Sequence, residues 1–326
     1  MRIYAGVDGG GTKTQLMMVD ADSAQGVTLS GPPANPNTVG WQRAVETVLE
    51  LLQTGLREMQ AAPKDLVAIC AGMAGVDRPN DREQWSLALR DGFPSAAIEV
   101  VNDALPVLSA GTEGRSGVAL IAGTGSIAVG EDEDGRIARA GGFGYLLGDE
   151  GSGFAIGQRG LTAAIQSCEG RGPSTQLWEA AQEAFGVSHP ADLIPRVYRS
   201  PHPVSVIASF SKWVLQCAPA DDVARAIIYD AIRDLSAMVD AVFAQLADRI
   251  APNVVVSGGV LVNSPLMVDG LRRAQTNRNI VVLQRSAAAG AVFRAMKHHL
   301  DRQAGGMNWT SAVAWWRSAV DRCRHC

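Results

Sequence analysis

The segment 8–14, Asp-Gly-Gly-Gly-Thr-Lys-Thr, has the composition of a phosphate-binding turn. Its glycines allow the backbone to approach a ligand closely, so that N–H groups can converge on phosphate oxygens. The hydroxyl of Thr12 adds a neutral donor, and Asp8, at the end of an apolar run, can hold Mg²⁺ through water. A plain glycine hairpin needs neither the acid nor the threonine. We therefore interpret the segment as nucleotide-binding, through Gly9, Gly10, Gly11, Thr12 and Lys13.

A second glycine turn, Gly123-Thr124-Gly125, follows the apolar run 118–122, about 115 residues after the first. Each turn joins two β-rich runs, so the chain carries a weak internal repeat that predicts two lobes of similar architecture. Two such turns, one from each lobe, would grip one polyphosphate from both sides. Neither turn is a Walker A loop, because the Gly-x-x-x-x-Gly-Lys-Ser/Thr spacing is absent from the chain.

Asp103 follows the predicted strand 97–102. A carboxylate at the mouth between the lobes could take the proton from an attacking hydroxyl group. The alternative is an aspartate that caps a helix beginning at Ala104. Together with the two phosphate turns, the sequence favours Asp103 as a general base.

The segment 141–153 contains six glycines in thirteen residues, together with aromatic and acidic side chains. This composition suits a ligand wall better than a core segment. We expect Phe143 to pack on a sugar ring, and Asp149 or Glu150 to bind sugar hydroxyl groups.

The alternative for this segment is a flexible loop that ends in a helix N-cap at Ser152. We rank it lower because Leu146 and Leu147 are expected to be buried. Two further segments are weaker signals. Asn35 in Asn-Pro-Asn is either a plain turn or a hydroxyl- and amide-binding residue, and Ser257-Gly258-Gly259-Val260 could let a nucleoside approach the backbone.

Composition limits the possible functions. With 326 residues, 47% of them hydrophobic and 19% charged, the chain can form two compact lobes, which we place at 1–116 and 117–326. The helix expected at 286–300 is free to pack back on the N-terminal lobe. A net charge of −4 with scattered basic residues gives no footprint for nucleic acid, and no apolar run is long enough to span a membrane.

The start of the chain reads as a strand entering a glycine turn rather than as a signal segment, which predicts a cytoplasmic protein. Five cysteines are an odd number and predict no disulfide framework. The terminal Cys323-Arg324-His325-Cys326 lacks a second ligand pair, so an inert tail is favoured over a metal site. Trp309, Trp315 and Trp316 lie on an expected helical tail, and predict either a subunit contact or packing on the chain's own surface.

The remaining periodicity predicts the elements that position these residues. Strands are expected at 2–8, 14–19, 66–71, 97–102, 118–122, 126–130, 136–140, 253–257 and 280–283. Helices are expected at 41–60, 153–168, 174–186, 203–217, 222–250 and 286–299.

Taken in order, these motifs resemble the N-acetylglucosamine kinase family, within the BadF/BadG/BcrA/BcrD-type ATPase group of the sugar kinase/chaperone/actin superfamily. The resemblance runs from residue 1 to about 300, and is carried by the segments 8–12, 102–103, 123–126, 142–152 and 257–260. It implies an α/β fold of two ribonuclease H-like lobes, of the actin-like ATPase and hexokinase type, with a cleft between them. It also implies a homodimer that uses ATP and Mg²⁺ to phosphorylate N-acetylglucosamine or glucosamine at the 6-hydroxyl.

The resemblance further implies roles for single residues. Thr12 and Thr124 match phosphate-contacting positions, and Asp103 matches the base. The sugar-contacting positions are matched by Asn35, Gly142, Phe143, Gly144 and Asp149, and the nucleoside wall by Ala208, Gly258 and Gly259.

Two departures from the family pattern lie near the sugar. Phe143 stands where some members carry Trp, and Asn35-Pro36-Asn37 replaces an Asn-His-Trp type of sequence. The same superfamily contains activators of 2-hydroxyacyl-CoA dehydratases, which need cysteines to bridge a dimer through an iron–sulfur cluster. The segment 121–125 has no cysteine, which disfavours that alternative.

Overall fold

A computed structural model describes residues 1–76, 78–302 and 309–323. The chain divides into two compact units. The first is formed by Met1–Arg115 and Gln284–Cys326, and the second by Ser116–Leu283. The segment after residue 283 thus groups with the first unit. The sequence analysis counted it with the C-terminal lobe but left the helix at 286–300 free to pack on the N-terminal lobe.

The first unit contains a five-stranded mixed sheet. Its strands are β1 (Ile3–Gly9), β2 (Thr14–Asp20), β3 (Gly26–Gly31), β4 (Leu66–Met73) and β5 (Ala97–Asn102). They lie in the order β3-β2-β1-β4-β5. The first three strands pair antiparallel, while β4 pairs parallel with both β1 and β5.

The second unit repeats this topology. Its strands are β6 (Gly117–Ala122), β7 (Ser126–Glu131), β8 (Ile137–Gly141), β9 (Asn253–Ser257) and β10 (Asn279–Val282). Strands β6 to β8 are antiparallel neighbours, and β9 lies parallel between β6 and β10. The internal repeat and the α/β class with two lobes of like architecture are therefore confirmed.

Helices cover both sheets. They are α1 (Pro36–Val39), α2 (Trp41–Glu58), α3 (Pro79–Gly92), α4 (Ala104–Thr112), α5 (Gly153–Cys168), α6 (Leu177–Phe185), α7 (Leu193–Tyr198), α8 (Pro203–Ser209), α9 (Ser211–Cys217), α10 (Asp222–Leu246), α11 (Gly259–Val262), α12 (Pro265–Ala274), α13 (Ala287–Asp301) and α14 (Trp309–Arg322). None of the helices in the described part of the chain combines the length and apolarity needed to cross a bilayer.

The expected elements are present, with three differences of substance. The helix expected at 203–217 is two helices, α8 and α9, which meet at Phe210. The helix expected at 174–186 begins only at Leu177, because the residues before it bind the side chain of Asp221. The sequence analysis also missed β3, α1, α3, α7, α11 and α12.

Helix α13 packs on the first sheet through an unusually close contact with β1. A Cβ atom on Gly6 would collide with the backbone at Ala288 and Val292 of α13, so only glycine permits this approach. Arg294 of α13 forms an ion pair with Glu99 of β5, with 2.6 Å between nitrogen and oxygen. The helix is therefore fixed against β1, which carries Asp8, and against β5, which Asp103 follows.

The C-terminal tail also packs on the first unit. Trp316 is fully buried, and its indole N–H donates to the carbonyl of Ala289 at 2.7 Å. The indole N–H of Trp315 donates to the carbonyl of Ala21 at 3.1 Å. These two tryptophans therefore pack on the chain's own surface. The side chain of Trp309 and residues 324–326, part of the terminal Cys-Arg-His-Cys, lie outside the described residues.

Asp221 links two parts of the second unit, the start of α10 and the residues just before α6. Its carboxylate caps α10 by accepting the backbone N–H of Ala224 at 2.8 Å. It also accepts the Thr175 hydroxyl at 2.8 Å and the Gln176 N–H at 2.6 Å, just before α6. Burial raises the pKa of Asp221, but the backbone donors of Ala224 and Gln176 and the Thr175 hydroxyl together lower it below its usual value.

We expect Asp221→Ala to lower the free energy of unfolding by about 2–4 kcal/mol at pH 7, because it removes a helix cap and two further buried hydrogen bonds. Since the pKa is lower in the folded state, this contribution is lost as the pH falls through the folded-state pKa, so the difference from wild type should shrink in acid. Urea unfolding at pH 7 and at a pH well below the ordinary value of 3.8 measures both effects. Asp222→Ala at the exposed neighbouring position is the control, expected to change stability by less than about 0.5 kcal/mol. Equal losses in the two variants would contradict this role.

Candidate active site

The first glycine turn connects β1 to β2 and is fixed at its base. The N–H of Gly10 donates to the carbonyl of Lys13 at 3.1 Å, and the carbonyl of Gly10 accepts the N–H of Ala34 at 3.2 Å. Gly11, Thr12 and Lys13 at the tip are exposed. The turn therefore combines an ordered backbone with an accessible edge, as phosphate binding requires.

Asp8 lies one residue before this turn, in register with Gly72 of the neighbouring strand β4. Burial and, next, the negative charge of Asp103 raise the pKa of Asp8 to about 7, although Lys13 opposes the shift. The structure thus brings Asp8 and Asp103 close enough to interact. Strand register explains this, because the ends of β1, β4 and β5 align at Gly9, Met73 and Asn102.

Asp103 occupies the N-cap position of α4, but its side chain makes no capping hydrogen bond. Instead, the side-chain oxygen of the buried Asn102 accepts the N–H of Ala104 at 2.9 Å. The capping role that was considered as the alternative for Asp103 is therefore performed by Asn102. Asp103 itself is half-buried beside Asp8.

Asn35 lies next to the first glycine turn. A Cβ atom on Gly11 would lie 3.8 Å from the Asn35 side-chain nitrogen. The Asn35 side-chain oxygen accepts the N–H of Asn37 at 2.9 Å and caps the short helix α1. Asn35 is therefore part of a local turn and also part of the surroundings of residues 9–13.

The second glycine turn joins β6 to β7 and is held against the start of α5. The carbonyl of Gly123 accepts the N–H of Gly153 at 2.7 Å, and that of Thr124 accepts the N–H of Phe154 at 3.2 Å. The Ser126 hydroxyl donates to the carbonyl of Glu150 at 2.7 Å. The turn and the glycine-rich loop that follows it along the chain are thus one assembly in the second unit.

Asp149 is the side chain that joins these two segments. Its carboxylate accepts the N–H of Ser126 at 3.2 Å and lies against Gly125, where a Cβ atom would come within 2.8 Å of it. Burial raises the pKa of Asp149, with the N–H groups of Ser126 and Gly144 opposing the shift and Glu150 adding to it. Asp149 also adopts a positive φ of 61°, which is uncommon for a residue other than glycine.

Arg139 orders the wall that carries Phe143. Its guanidinium group donates to the carbonyls of Gly141 and Gly142, and lies 5.1 Å from the centre of the Phe143 ring. Phe143 is 65% exposed, so one side of the ring is supported while the remainder is accessible. Sequence reasoning missed Arg139, because nothing in its neighbourhood distinguishes it from a surface arginine.

The expectation that Leu146 and Leu147 are buried was wrong. They are 78% and 82% exposed. The N–H groups of Leu147 and Gly148 both donate to the carbonyl of Gly144, closing a tight turn that projects these side chains away from the core. Ser152 does cap α5, by accepting the N–H of Ala155 at 3.1 Å. The two interpretations of this segment, a ligand wall and a capped loop, are therefore compatible.

Gly258 and Gly259 follow β9 in the second unit. Gly258 has a positive φ of 89°, and a Cβ atom on it would collide with the backbone of Ala122 at the end of β6. Gly259 lines a cavity of about 490 Å³ together with Ser211, Lys212 and Asn263. Ala208 is buried in α8 and is not among the described residues that line this cavity. The cavity residues were missed because they come from separate helices.

The comparisons with known proteins agree on one family. The sequence model of the BadF/BadG/BcrA/BcrD ATPase family matches residues 5–295. An N-acetylmuramic acid/N-acetylglucosamine kinase of Clostridium acetobutylicum is 33% identical over 302 residues, which span 90% of this chain and 98% of that protein. An N-acetyl-D-glucosamine kinase of Dictyostelium discoideum is 32% identical over 258 residues, covering 75% of this chain and 80% of that one. A crystal structure of a Chromobacterium violaceum protein, provisionally assigned as an N-acetylglucosamine kinase, has a TM-score of 0.70 at 26% identity, covering 90% of this chain and 98% of that one.

The raised pKa of Asp8 predicts a pH-dependent stability of the protein without ligands. The ordinary value of 3.8 rises to about 7 in the folded state, so ionisation of Asp8 destabilises the fold increasingly as the pH rises through this window. Asp8→Asn removes the ionisable group. We therefore expect it to raise the thermal unfolding midpoint above that of wild type at pH 8, and by much less at pH 5.

Differential scanning calorimetry in the presence of a chelator, so that divalent cations are absent, measures this difference. Asp91→Asn on the exposed end of α3 serves as the control for loss of a surface carboxylate. A stabilisation by Asp8→Asn that is equal at the two pH values would contradict the predicted burial of a charge at position 8.

Proposed function

This chain belongs to the BadF/BadG/BcrA/BcrD ATPase family, and on that premise we propose that it is an ATP-dependent amino sugar kinase. Its acceptor in this proposal is N-acetylglucosamine or glucosamine, phosphorylated at the 6-hydroxyl. The relatives from Clostridium acetobutylicum and Dictyostelium discoideum are named as kinases of N-acetylated amino sugars and support the proposal. One observation supports it above the others: Asn102 caps α4 in place of Asp103, and Asp103 lies beside Asp8.

Asp103 is the general base. The oxygen of the sugar C6 hydroxyl attacks the γ-phosphorus of ATP while its proton passes to the Asp103 carboxylate. A new phosphorus–oxygen bond forms, the bond between the γ-phosphorus and the bridging oxygen breaks, and ADP leaves with the bonding electrons. A carboxylate that does not cap its helix can accept this proton without breaking the start of α4.

The ATP contacts in this proposal come from segments in which backbone groups are accessible. The proposal assigns its phosphates to the turns 9–13 and 123–125, with the hydroxyls of Thr12 and Thr124 as neutral donors. It assigns the nucleoside to Gly258, Gly259 and Ala208. The cavity of about 490 Å³ supports the assignment of Gly259 alone, since its volume is that of a small-molecule site and the described residues that line it include neither Gly258 nor Ala208.

Asp8 fits a position that holds Mg²⁺. A buried carboxylate whose pKa is raised by burial and by a second acid gains most from a nearby cation. No group of three or more His, Cys, Asp or Glu residues suited to a metal occurs among the described residues, so the nucleotide phosphates and water would supply the remaining ligands. When bound, Mg²⁺ neutralises charge that develops on the phosphates.

The last set of proposed contacts is with the sugar. We assign it to Asn35 beside the first turn and to Gly142, Phe143, Gly144 and Asp149 on the glycine-rich wall. The exposed face of Phe143, supported by Arg139, suits stacking on a sugar ring. Asp149 has one oxygen engaged with Ser126, which fixes the direction of its carboxylate.

The rival activity, activation of a 2-hydroxyacyl-CoA dehydratase, requires cysteines beside the second glycine turn. The described cysteines are Cys70, Cys168, Cys217 and Cys323, none of which adjoins residues 123–126.

The proposal also includes a homodimer in the cytoplasm, where ATP is available.

Asp103→Asn should lower kcat by roughly 10²–10⁴, because an amide cannot accept the proton, and should leave ATP affinity close to that of wild type. A coupled assay of ADP release with N-acetylglucosamine, together with calorimetric titration of ATP, measures both. Asp91→Asn on the surface of α3 is the matched control. Near-normal turnover by Asp103→Asn would remove this residue from the mechanism.

Gly123→Ala tests the second phosphate turn. A Cβ atom on Gly123 meets no atom within 4 Å and the residue has no positive φ, so the fold should tolerate the methyl group. If ATP phosphates occupy this open space, the methyl group should weaken ATP binding by about 5- to 100-fold, since overpacking costs about 1–3 kcal/mol. Calorimetric titration with ATP measures the effect. An unchanged thermal unfolding midpoint of the variant checks that its fold is intact.

Gly148→Ala is the control for this variant. The nearest atom to a Cβ on Gly148 would lie at 3.5 Å and Gly148 has no positive φ, so the fold should tolerate this methyl group too. It should bind ATP normally. If Gly123→Ala binds ATP as tightly as Gly148→Ala does, the phosphates do not lie against residue 123.

A further inference from the structure

A groove between α5 and α10 in the second unit takes no part in the sugar and ATP contacts proposed above. Its volume is about 640 Å³. Arg159 of α5, which lines the groove, forms an ion pair with Asp230 of α10 and so ties the two helices together. Most of the lining is small or apolar, and this part consists of Thr162, Ala163, Pro173, Val223, Ala226 and Ile227. Such a surface gains free energy when an apolar group covers it.

Tyr229 lies on α10 next to this groove. It is 55% exposed, and within residues 1–76, 78–302 and 309–323 its side chain has no hydrogen-bond, ion-pair or ring partner. Ala226, about one turn earlier, is exposed and lines the groove. One helix therefore carries both an accessible aromatic ring and a recess that a ring could fill. Tyrosine is a residue that often dominates the binding energy of protein interfaces.

Two opposite charges flank this part of α10. The residues Asp222, Ala226, Tyr229 and Arg233 follow one another at intervals of four, three and four, which places all four on one side of an α-helix. The two charged residues each make an ion pair within their own chain, yet the side chains of Asp222 and Arg233 are still 92% and 68% exposed. Both therefore keep an open side for a second partner.

This strip of α10 is complementary to a second copy of itself. A symmetric dimer brings the same surface of both copies together about a two-fold axis, so that every contact occurs twice. With antiparallel helices and an axis between residues 227 and 228, Asp222 faces Arg233 of the second copy, and Tyr229 faces Ala226 of the second copy. Opposite charges, and a ring and a recess, thus meet in one and the same register.

A neighbouring register lacks this agreement. An axis through residue 229 would place the two copies of Tyr229 against each other. It would also place Arg225 against Arg233 of the second copy, and two like charges at facing positions repel each other. The charge pattern therefore favours the axis between residues 227 and 228.

We propose that the surface formed by residues 222–233 of α10 and the adjoining groove is where two copies of this chain associate. Tyr229 of each copy enters the groove of the other, and Asp222 pairs with Arg233 across the two-fold axis. The inference rests on the homodimer that is part of the proposed function, and adds the surface and the residues that form it. It does not depend on the identity of the acceptor sugar.

Tyr229→Ala tests the aromatic contact. Wild type should be a dimer in the micromolar concentration range, and the variant should have a dissociation constant at least about 30-fold higher, because both copies lose a central aromatic side chain. Sedimentation equilibrium measures both constants. Tyr198→Ala is the matched control, since Tyr198 is 82% exposed on α7, outside the proposed surface, and its loss should leave association unchanged.

Charge reversal tests the register. Deleting one exposed charge changes little, but Asp222→Arg opposes two arginines at both contacts and Arg233→Asp opposes two aspartates. Each variant alone should therefore associate at least about tenfold more weakly than wild type. Mixing the two variants restores opposite charges at both contacts, so they should form a one-to-one heterodimer, which native mass spectrometry detects. Arg272→Asp, at an exposed position of α12, is the control and should associate as wild type does.

The outcomes separate association from catalysis. A wild-type chain that stays monomeric in the micromolar range overturns the proposed interface. So does a dimer that Tyr229→Ala and both charge reversals leave unchanged, or a loss of association that mixing the two reversed variants does not restore. Weaker association of each variant alone, followed by heterodimer formation on mixing, supports it. If wild type forms the dimer but phosphorylates no amino sugar, the proposed activity fails while the interface stands.

Discussion

The candidate site in the first unit depends on the repulsion between two carboxylates at the ends of β1 and β5, the strands on either side of β4. Parallel pairing of β4 with β1 and β5 aligns the strand ends and brings Asp8 near Asp103. Burial and this second charge together favour the protonated form of Asp8. Without a ligand, the repulsion between the two carboxylates is not compensated. A bound cation or a proton-donating ligand would reduce it. A purely structural pair of acids would gain nothing from this placement.

Local patterning predicted the features that depend on short stretches of chain. Alternating apolar runs and glycine turns predicted both hairpins and the repeated sheet. The two-residue period of a strand, and the glycines that tight turns require, are both visible directly in the sequence. The ends of β5 and α5 were predicted to the residue, and the motif order predicted the family. The roles of single site residues remain proposals, since they depend on ligands.

What the sequence did not predict depends on contacts between distant segments. The break between α8 and α9 and the late start of α6 reflect tertiary contacts, such as those of Asp221 with Thr175 and Gln176. The exposure of Leu146 contradicts its apolar character, because the turn at Gly144 decides the direction of the side chain. The cavity beside Asn37 combines three segments that lie apart in the chain.

The C-terminal helix α14 has a consequence for behaviour in concentrated solution. Strand β3 is the edge of the first sheet, and a Cβ atom on its residue Gly26 would collide with the Sγ atom of Cys323, just beyond the end of α14. The helix thus covers part of an edge that would otherwise present unpaired backbone groups to another molecule. It lies beyond the stretch matched by the family. A chain shortened before α14 would expose a template for strand-to-strand aggregation, independent of any effect on catalysis.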